Sequence, residues 1–178
     1  MAAGSGGAGR RTQSVLFVCA HNAIRSPMAE ALARHYFGKS VYVQSAGVRT
    51  GETDPFVVAI LDEIGIDASR HRPRTLADLE EWEGLNFDLI VTLAPEAHHA
   101  ALELTRTLAA DVEYWPTPDP TLAQGSREQR LDAYRAVRDG LSERDYSPKF
   151  LAGSCAGLGC AKGSARFDFV PIRHRTVR

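Results

Sequence analysis

Cysteine is scarce in this sequence, and long apolar runs are missing from it. Three cysteines in 178 residues are an odd and low number, which argues against a disulfide framework and favours a reducing compartment. No stretch approaches the roughly 20 apolar residues of a membrane-spanning helix. The net charge of -1 gives no reason to expect nucleic acid or an anionic membrane as a partner. We therefore expect a soluble, cytoplasmic protein that binds neither.

The composition supports one globular domain. Hydrophobic residues make up 44% of the chain and charged residues 24%, which is ordinary for a protein with a buried core. Residues 1–13 are glycine-rich and aperiodic, and we interpret them as a flexible leader. Residues 147–178 are rich in Gly, Ala and Ser and end in basic residues, which indicates an appendage of uncertain structure. The predicted domain is 14–146, and the sequence leaves its oligomeric state open.

Short apolar runs alternate with segments of helical periodicity. The runs at 15–18, 41–43, 87–91 and 112–115 predict strands, and the segments 26–37, 55–64, 75–82 and 95–108 predict helices. Ser126 and Gln129 have the spacing of a capping box that starts a last helix, whose inward face carries Leu131, Tyr134, Val137 and Leu141. This alternation predicts an α/β fold in three layers, with a parallel sheet covered by helices on both faces.

The loop between the first strand and the first helix is the candidate functional site. Cys19 follows the apolar run, and Arg25 precedes Ser26 and Pro27, a favoured N-cap and first helical residue. Ligands of open parallel sheets bind at the carboxyl ends of strands, and a helix N-terminus favours an anion. The Arg25 guanidinium matches two phosphate oxygens. We therefore predict a phosphate-binding loop formed by Ala20, His21, Asn22, Ala23, Ile24 and Arg25.

Cys19 is the predicted nucleophile of this loop. The helix N-terminus and the neighbouring Arg25 stabilise a thiolate, and the hydroxyl of Ser26 is placed to donate to the sulfur. Asn22 lies mid-loop, where a residue that tolerates the left-handed conformation turns successive N–H groups inward. A purely structural Cys19 with a surface Arg25 would leave these coinciding features without a role.

Residues 15–31, VLFVCAHNAIRSPMAEA, resemble the signature of the low-molecular-weight protein tyrosine phosphatases. The resemblance continues through Ser45-Ala46-Gly47, Gly65-Ile66, residues 69–72, Phe87-Asp88 and Asp119-Pro120, and it covers about residues 14–145. It implies a four-stranded parallel sheet, cysteinyl-phosphate chemistry, and neither a metal nor another cofactor. It also implies that Ser45 and His71 support Asn22 by hydrogen bonds.

The same resemblance points to Asp119 as the general acid. Such a proton donor is worth typically about 10²–10⁴ in rate. Three prolines, Pro116, Pro118 and Pro120, restrict the backbone around this carboxylate. An ordinary Asp-Pro turn is the alternative interpretation.

Three positions depart from the family pattern. Thr121-Leu122 stand where relatives usually carry aromatic residues that wall a phosphotyrosine ring, His21 replaces a usual glycine, and Ile24 replaces the second cysteine of eukaryotic members. These departures leave the selectivity for aryl phosphates open.

The predicted function is phosphomonoester hydrolysis of the tyrosine phosphatase type, acting on a phosphorylated protein or a small aryl phosphate. The alternative is an arsenate reductase on the same fold. Thioredoxin-coupled reductases of this type carry two further cysteines after the third strand, but residues 93–101 contain none. A reductase would therefore need an external thiol, or the remote pair Cys155 and Cys160. A third hypothesis is a non-catalytic phosphate-binding module. The presence of both Cys19 and Asp119 argues against it, because binding alone needs neither a nucleophile nor a general acid.

Overall fold

The structure is a computed structural model, and it describes residues 12–145. Its elements follow in the order β1 (Ser14–Cys19), α1 (Arg25–Phe37), β2 (Tyr42–Gly47), α2 (Pro55–Asp62), α3 (Leu76–Trp82), β3 (Leu89–Thr92), α4 (Pro95–Leu104), β4 (Asp111–Tyr114) and α5 (Arg127–Asp145). A short 3-10 turn, Pro120–Leu122, precedes α5. The predicted elements are thus confirmed in type and order. The predicted appendage, and the predicted leader apart from Thr12 and Gln13, lie outside the described residues.

A parallel sheet in the order β2-β1-β3-β4 forms the middle layer. In its register Val15 pairs with Val43 on one side and Leu89 on the other, while Cys19 pairs with Gly47. Parallel strands that are buried on both faces read as continuous apolar runs, as β1 does. All four carboxyl ends point the same way, so the loops that follow β1, β2, β3 and β4 meet at one edge.

The side chains of β1 alternate between two apolar clusters, one on each face of the sheet. Val15 and Phe17 pack with α1, α2 and α5, whereas Leu16 and Val18 pack with α3 and α4. The predicted inward residues of α5 are all buried in the first cluster: Leu131, Tyr134, Val137 and Leu141. Each fully buried large apolar side chain contributes about 1.5–3 kcal/mol. The predicted three-layer α/β architecture is confirmed.

Several predicted boundaries were wrong, and two of them have a physical reason. α1 begins at Arg25 with Ile24 as its N-cap, because the Ser26 hydroxyl bonds to Cys19 and not to a free N–H of the first turn. β2 continues to Gly47 because its polar residues Gln44 and Ser45 are buried rather than solvated. α4 ends at Leu104, four residues before the predicted end.

Within residues 12–145, none of the helices is both long enough and apolar enough to cross a membrane.

Candidate active site

The loop from Cys19 to Arg25 closes around the sulfur of Cys19. Cys19 is the last residue of β1 and is 2% exposed. Its Sγ accepts a hydrogen bond from the backbone N–H of Asn22 at 3.2 Å and lies 2.9 Å from Oγ of Ser26. The backbone N–H of Asn22 and the hydroxyl of Ser26 therefore both contact one buried sulfur.

Asn22 sets the shape of the loop. Its φ of 51° is the one positive value at a non-glycine position among the described residues. The side-chain amide donates to Oγ of Ser26 and to Oγ of Ser45, each at 2.9 Å, and its Oδ1 accepts from the backbone N–H of Arg74 at 3.0 Å. These bonds offset the energetic cost of the left-handed backbone at Asn22. This is the conformation that the sequence predicted for Asn22.

The segment that follows β2 lies against the outer side of the loop. Four of its backbone N–H groups donate to loop carbonyls: Val48 to Cys19 at 3.0 Å, Arg49 to Ala20 at 2.8 Å, Gly51 to His21 at 2.9 Å and Asp54 to Ala23 at 3.2 Å. The loop carbonyls are thereby turned outward and satisfied. Carbonyls held on the outer side are a feature of backbone anion sites, in which N–H groups line the inner side.

Glycine is required where this segment leaves β2. A Cβ atom on Gly47 would lie 2.7 Å from the backbone nitrogen of Asn22 and 2.8 Å from the carbonyl carbon of His21. Any side chain here would displace the loop backbone, so the absence of a side chain at Gly47 allows the loop to keep its shape.

The remaining predicted loop residues differ in exposure. Ala20 is buried and Ala23 is half-buried, and each has only a methyl side chain. Ile24 packs against the core of the α1 and α5 face. The imidazole of His21 is exposed and lies close enough to Asp119 to influence its carboxylate.

A buried carboxylate lies behind Ser45. The hydroxyl of Ser45 donates a short hydrogen bond to Glu30, which also pairs with Arg34 at 2.7 Å. Nδ1 of His71 is 3.6 Å from Oε2 of Glu30. The structure thus brings the predicted Ser45 onto the Asn22 side chain. His71 lies in the same network through Glu30, and it makes no hydrogen bond to the Asn22 side chain.

Burial controls the ionisation of His71. It lowers the pKa of the imidazole, while the charge of Glu30 and the backbone of Asn22 raise it, and the net pKa lies below the ordinary value. His71 is consequently neutral at neutral pH.

Arg25, at the end of the Cys19 loop, lies close to Asp119 in the loop that follows β4. The Arg25 side chain is 13% exposed, its Nη1 donates to the carbonyl of Thr117 at 3.2 Å, and its Nη2 lies 3.9 Å from Oδ2 of Asp119. The loop that follows β4 is tied to β3, because Trp115 N–H donates to Thr92 at 2.8 Å and Thr117 N–H to Leu93 at 3.2 Å. The end of β3 thus positions the carbonyl that orients Arg25.

Thr121 holds the carboxylate of Asp119, and it stands where relatives usually carry an aromatic residue. Oδ1 of Asp119 accepts from the backbone N–H of Thr121 at 3.0 Å and from the Thr121 hydroxyl at 2.7 Å. Partial burial raises the pKa of Asp119. The two bonds from Thr121 and the charges of Arg25 and His21 lower it, and together they hold it below its ordinary value. Asp119 is therefore ionised at neutral pH.

Sequence reasoning missed Glu30, Arg74 and Thr117. Glu30 carries a detectable signal, since it is a charged residue four positions after Ser26 on a helix face that proves buried. Arg74 and Thr117 act through a backbone N–H and a backbone carbonyl. Nothing in their side-chain identity could have revealed those roles.

The chain is similar to arsenate reductases and to tyrosine phosphatases of known sequence or structure. It is 33% identical to the arsenate reductase of Bacillus subtilis (strain 168) over 131 residues, which cover 73% of this chain and 90% of that protein. The crystal structure of an arsenate reductase from Archaeoglobus fulgidus is 31% identical with a TM-score of 0.57, covering 76% of this chain and 98% of that one. A low molecular weight protein tyrosine phosphatase from T. tengcongensis is 27% identical with a TM-score of 0.63, covering 79% of this chain and 99% of that one.

The family model described as low molecular weight phosphotyrosine protein phosphatase matches residues 14–147, which span the whole sheet and the loop around Cys19. Since the match takes in the four parallel strands and all three predicted catalytic residues, the chain belongs to the low molecular weight phosphotyrosine protein phosphatase family.

Proposed function

We propose that the chain hydrolyses phosphomonoesters as a tyrosine phosphatase does, with Cys19 as nucleophile, Arg25 as phosphate clamp and Asp119 as general acid. One observation carries the proposal. The sulfur of Cys19 lies inside a loop whose carbonyls are turned outward, and the guanidinium of Arg25 lies 3.9 Å from the carboxylate of Asp119 at the same site. Nucleophile, anion cradle and proton donor are thus combined at one sheet edge.

Substrate binding uses the inner side of the loop. The backbone N–H groups of residues 20–25 and the Arg25 guanidinium donate hydrogen bonds to the oxygens of a tetrahedral dianion. A guanidinium carries five N–H donors in a planar fork. The bond from Nη1 to Thr117 occupies one of them and fixes the plane, so that Nε and Nη2 remain for two phosphate oxygens.

The chemistry proceeds in two displacements. The Cys19 thiolate attacks phosphorus, the bond from phosphorus to the leaving oxygen breaks, and Asp119 gives that oxygen its proton. The resulting cysteinyl-phosphate is attacked by water, which loses a proton to the Asp119 carboxylate. The phosphorus–sulfur bond then breaks, releasing inorganic phosphate and restoring the thiolate.

The lowered pKa of Asp119 fits this scheme. Arg25 contributes to that lowering. A bound phosphate dianion neutralises Arg25 and adds negative charge near Asp119, and both effects raise the pKa of the carboxyl. Substrate binding therefore prepares the acid in its protonated form.

Arsenate reduction is the second candidate function, because similar curated proteins bear that name. Arsenate has the shape and charge of phosphate, and attack by Cys19 on arsenic needs the same loop. Reduction also requires two electrons from thiols. Cys19 is the sole cysteine of residues 12–145, and Cys155 and Cys160 lie outside the described residues. This route therefore depends on an external thiol or on those two cysteines.

A side-by-side assay separates the two functions. Purified protein is given p-nitrophenyl phosphate or a phosphotyrosine peptide without thiol, and separately arsenate with thioredoxin, glutathione or another small thiol. We expect thiol-independent phosphate release that Cys19→Ser abolishes and that survives replacement of Cys155 and Cys160. Rapid thiol-dependent loss of arsenate, with only trace phosphoester hydrolysis, would contradict the proposal.

A further inference from the structure

Two arginines at the start of α5 share one aromatic ring. The guanidinium carbon of Arg127 lies 5.6 Å from the ring centroid of Phe56, and that of Arg130 lies 4.9 Å from the same centroid. The ring itself is fixed, because it packs edge-on against Tyr134 with centroids 5.3 Å apart and an interplanar angle of 80°. We call Arg127, Phe56 and Arg130 the Phe56 clamp.

The clamp arginines keep their charge without a carboxylate partner. Within residues 12–145 no ion pair involves Arg127 or Arg130, whereas Arg135, on the same helix, pairs with Glu63, Glu128 and Asp132. Glu128 and Asp132 are the acidic residues nearest to the clamp on α5, and both are taken up by Arg135. An aromatic face orients guanidinium groups but does not neutralise them. Two oriented positive charges are thus left for an external anion.

The clamp is joined to the phosphate-binding loop through Asp54. The hydroxyl of Tyr134 donates to Oδ2 of Asp54 at 2.7 Å, and the backbone N–H of Phe56 donates to Oδ1 at 2.8 Å. The backbone N–H of Asp54 donates in turn to the carbonyl of Ala23 at 3.2 Å. Both carboxylate oxygens of Asp54 are therefore engaged inside the protein, and the clamp is held at a fixed place relative to the loop.

The clamp and Asp119 lie on the same side of the molecule. Burial and the neighbouring Asp54 raise the pKa of Tyr134, Asp119 raises it further, and Arg130 lowers it. The charges of Arg130 and Asp119 thus both act on the Tyr134 hydroxyl. In addition, Ala133, Val137 and Gly140 of α5 line one cavity together with Asp119.

We propose that the Phe56 clamp is a second anion-binding subsite at the mouth of the active site. The preferred substrate is accordingly a phosphorylated protein segment with a second anionic group, a carboxylate or another phosphate, close to the phosphorylated side chain. This inference rests on the proposed function. A small aryl phosphate fills only the Cys19 loop, whereas a doubly anionic segment occupies the loop and the clamp together.

The test compares three phosphotyrosine peptides of one length. The first carries two glutamates within four residues of the phosphotyrosine, the second has alanine in their place, and the third has a phosphoserine in the place of one glutamate. Each kcat/KM is measured with the full chain, and each Kd is measured with Cys19→Ser by fluorescence anisotropy. We expect about tenfold selectivity for the anionic peptides over the alanine peptide, which corresponds to about 1.4 kcal/mol. The selectivity should shrink in high salt.

A matched pair of double variants locates the effect. Arg127→Gln/Arg130→Gln should bring the selectivity ratio close to one. Lys39→Gln/Arg106→Gln also removes two positive charges, but these residues follow α1 and α4 at the amino edge of the sheet. This control should retain the wild-type ratio, because it alters the net charge equally and leaves the clamp intact.

The outcomes separate this proposal from the proposed function. The clamp proposal would be overturned if the wild type did not discriminate between the anionic peptides and the alanine peptide. It would also be overturned if the clamp variant kept the wild-type selectivity, or if both double variants lost selectivity equally. Absence of any phosphoester hydrolysis would overturn the proposed function instead, while the Kd ratios of Cys19→Ser would still report on the clamp. The glutamate and phosphoserine arms show which anion the clamp prefers.

Discussion

The side-chain amide of Asn22 donates to the hydroxyl of Ser45 at 2.9 Å, and this hydroxyl donates a hydrogen bond to the buried carboxylate of Glu30. Through this pair the strained Asn22, in the loop between Cys19 and Arg25, is tied to β2 and α1. The loop is therefore held in one shape by the protein itself, which reduces the entropic cost of the anion binding that we propose for it.

Ser45→Ala tests that connection. It removes the acceptor of one Asn22 N–H and the donor to Glu30, both of which are buried. Leaving such groups unsatisfied costs about 1–3 kcal/mol each. We expect chemical denaturation to show a stability loss of this order together with a lower kcat/KM. Ser142→Ala, which removes a hydroxyl bonded to Arg138 on α5, should leave kcat/KM unchanged. Equal effects of the two variants on kcat/KM would contradict the role of Ser45.

Asn22→Gly and Asn22→Ala separate the backbone of this residue from its side chain. Both variants lose the bonds to Ser26 and Ser45, but glycine accepts the φ of 51° without strain. A left-handed alanine costs about 1–2 kcal/mol. The glycine variant should therefore be more stable than the alanine variant by about that amount, and it should retain more activity. Thermal unfolding and steady-state kinetics of the two proteins provide the comparison.

The sequence located the loop that holds Cys19 and Arg25 better than it predicted the bonds that hold this loop in place. The apolar run of β1 and the Ser-Pro start of α1 place Cys19 and Arg25 on either end of one loop, since a strand end and a helix start are both local patterns. The position of Asp119 beside them came only from a family resemblance. Its contact with Arg25 depends on β4 pairing with β3, a long-range event that local patterns do not encode.

Some supporting bonds escaped prediction for a different reason. The contact of the Ser26 hydroxyl with the Cys19 sulfur was predicted, but its second contact, with the side-chain amide of Asn22, was not, because tertiary packing decides it. Thr117 and Arg74 contribute backbone groups, which every residue possesses. The clamp was also missed, because the contact of Phe56 with Arg127 and Arg130 joins segments about 70 residues apart in the sequence.

Arg25→Lys should disable the site although it keeps the charge. A lysine ammonium can neither bind two phosphate oxygens in a plane nor hold the carbonyl of Thr117 at the same time. Each lost charge-assisted hydrogen bond is worth about 1.5–3 kcal/mol, so kcat/KM should fall by about 10²-fold or more. The fold should persist, as judged by circular dichroism. Near-wild-type kcat/KM in this variant would show that Arg25 acts only as a point charge.

His71 makes stability depend on pH in a defined window. Its pKa is lowered in the folded protein, so between that value and the ordinary one of about 6.5 the unfolded chain binds more protons. Stability is full above about pH 6.5, and as pH falls it is lost with a slope of at most about 1.4 kcal/mol per pH unit, until the lowered pKa is passed. Urea denaturation at pH 8, 6.5 and 5 should show a smaller loss on acidification for His71→Gln than for the wild type. A larger loss in the variant would mean that Glu30 holds His71 protonated in the fold.

Asp119→Asn distinguishes a proton donor from a residue that only orients Arg25. A proton donor matters in proportion to the basicity of the leaving oxygen, so kcat for phenyl phosphate should fall by about 10²-fold or more. The loss for a dinitrophenyl phosphate should be small, because that phenolate departs without a proton. Asp67 supplies the matched control: its Oδ1 likewise accepts from the N–H two residues ahead, at 2.9 Å, and its pKa is lowered by Ser69. The kcat of Asp67→Asn should therefore equal that of the wild type for every leaving group in the series.

The pH profile gives an independent test of Asp119. The decline of kcat at alkaline pH reports the loss of the Asp119 proton in the substrate complex, and this decline should vanish in Asp119→Asn. A uniform loss across the series with the alkaline decline intact would mean that Asp119 serves only to hold Arg25, and another group would have to protonate the leaving oxygen.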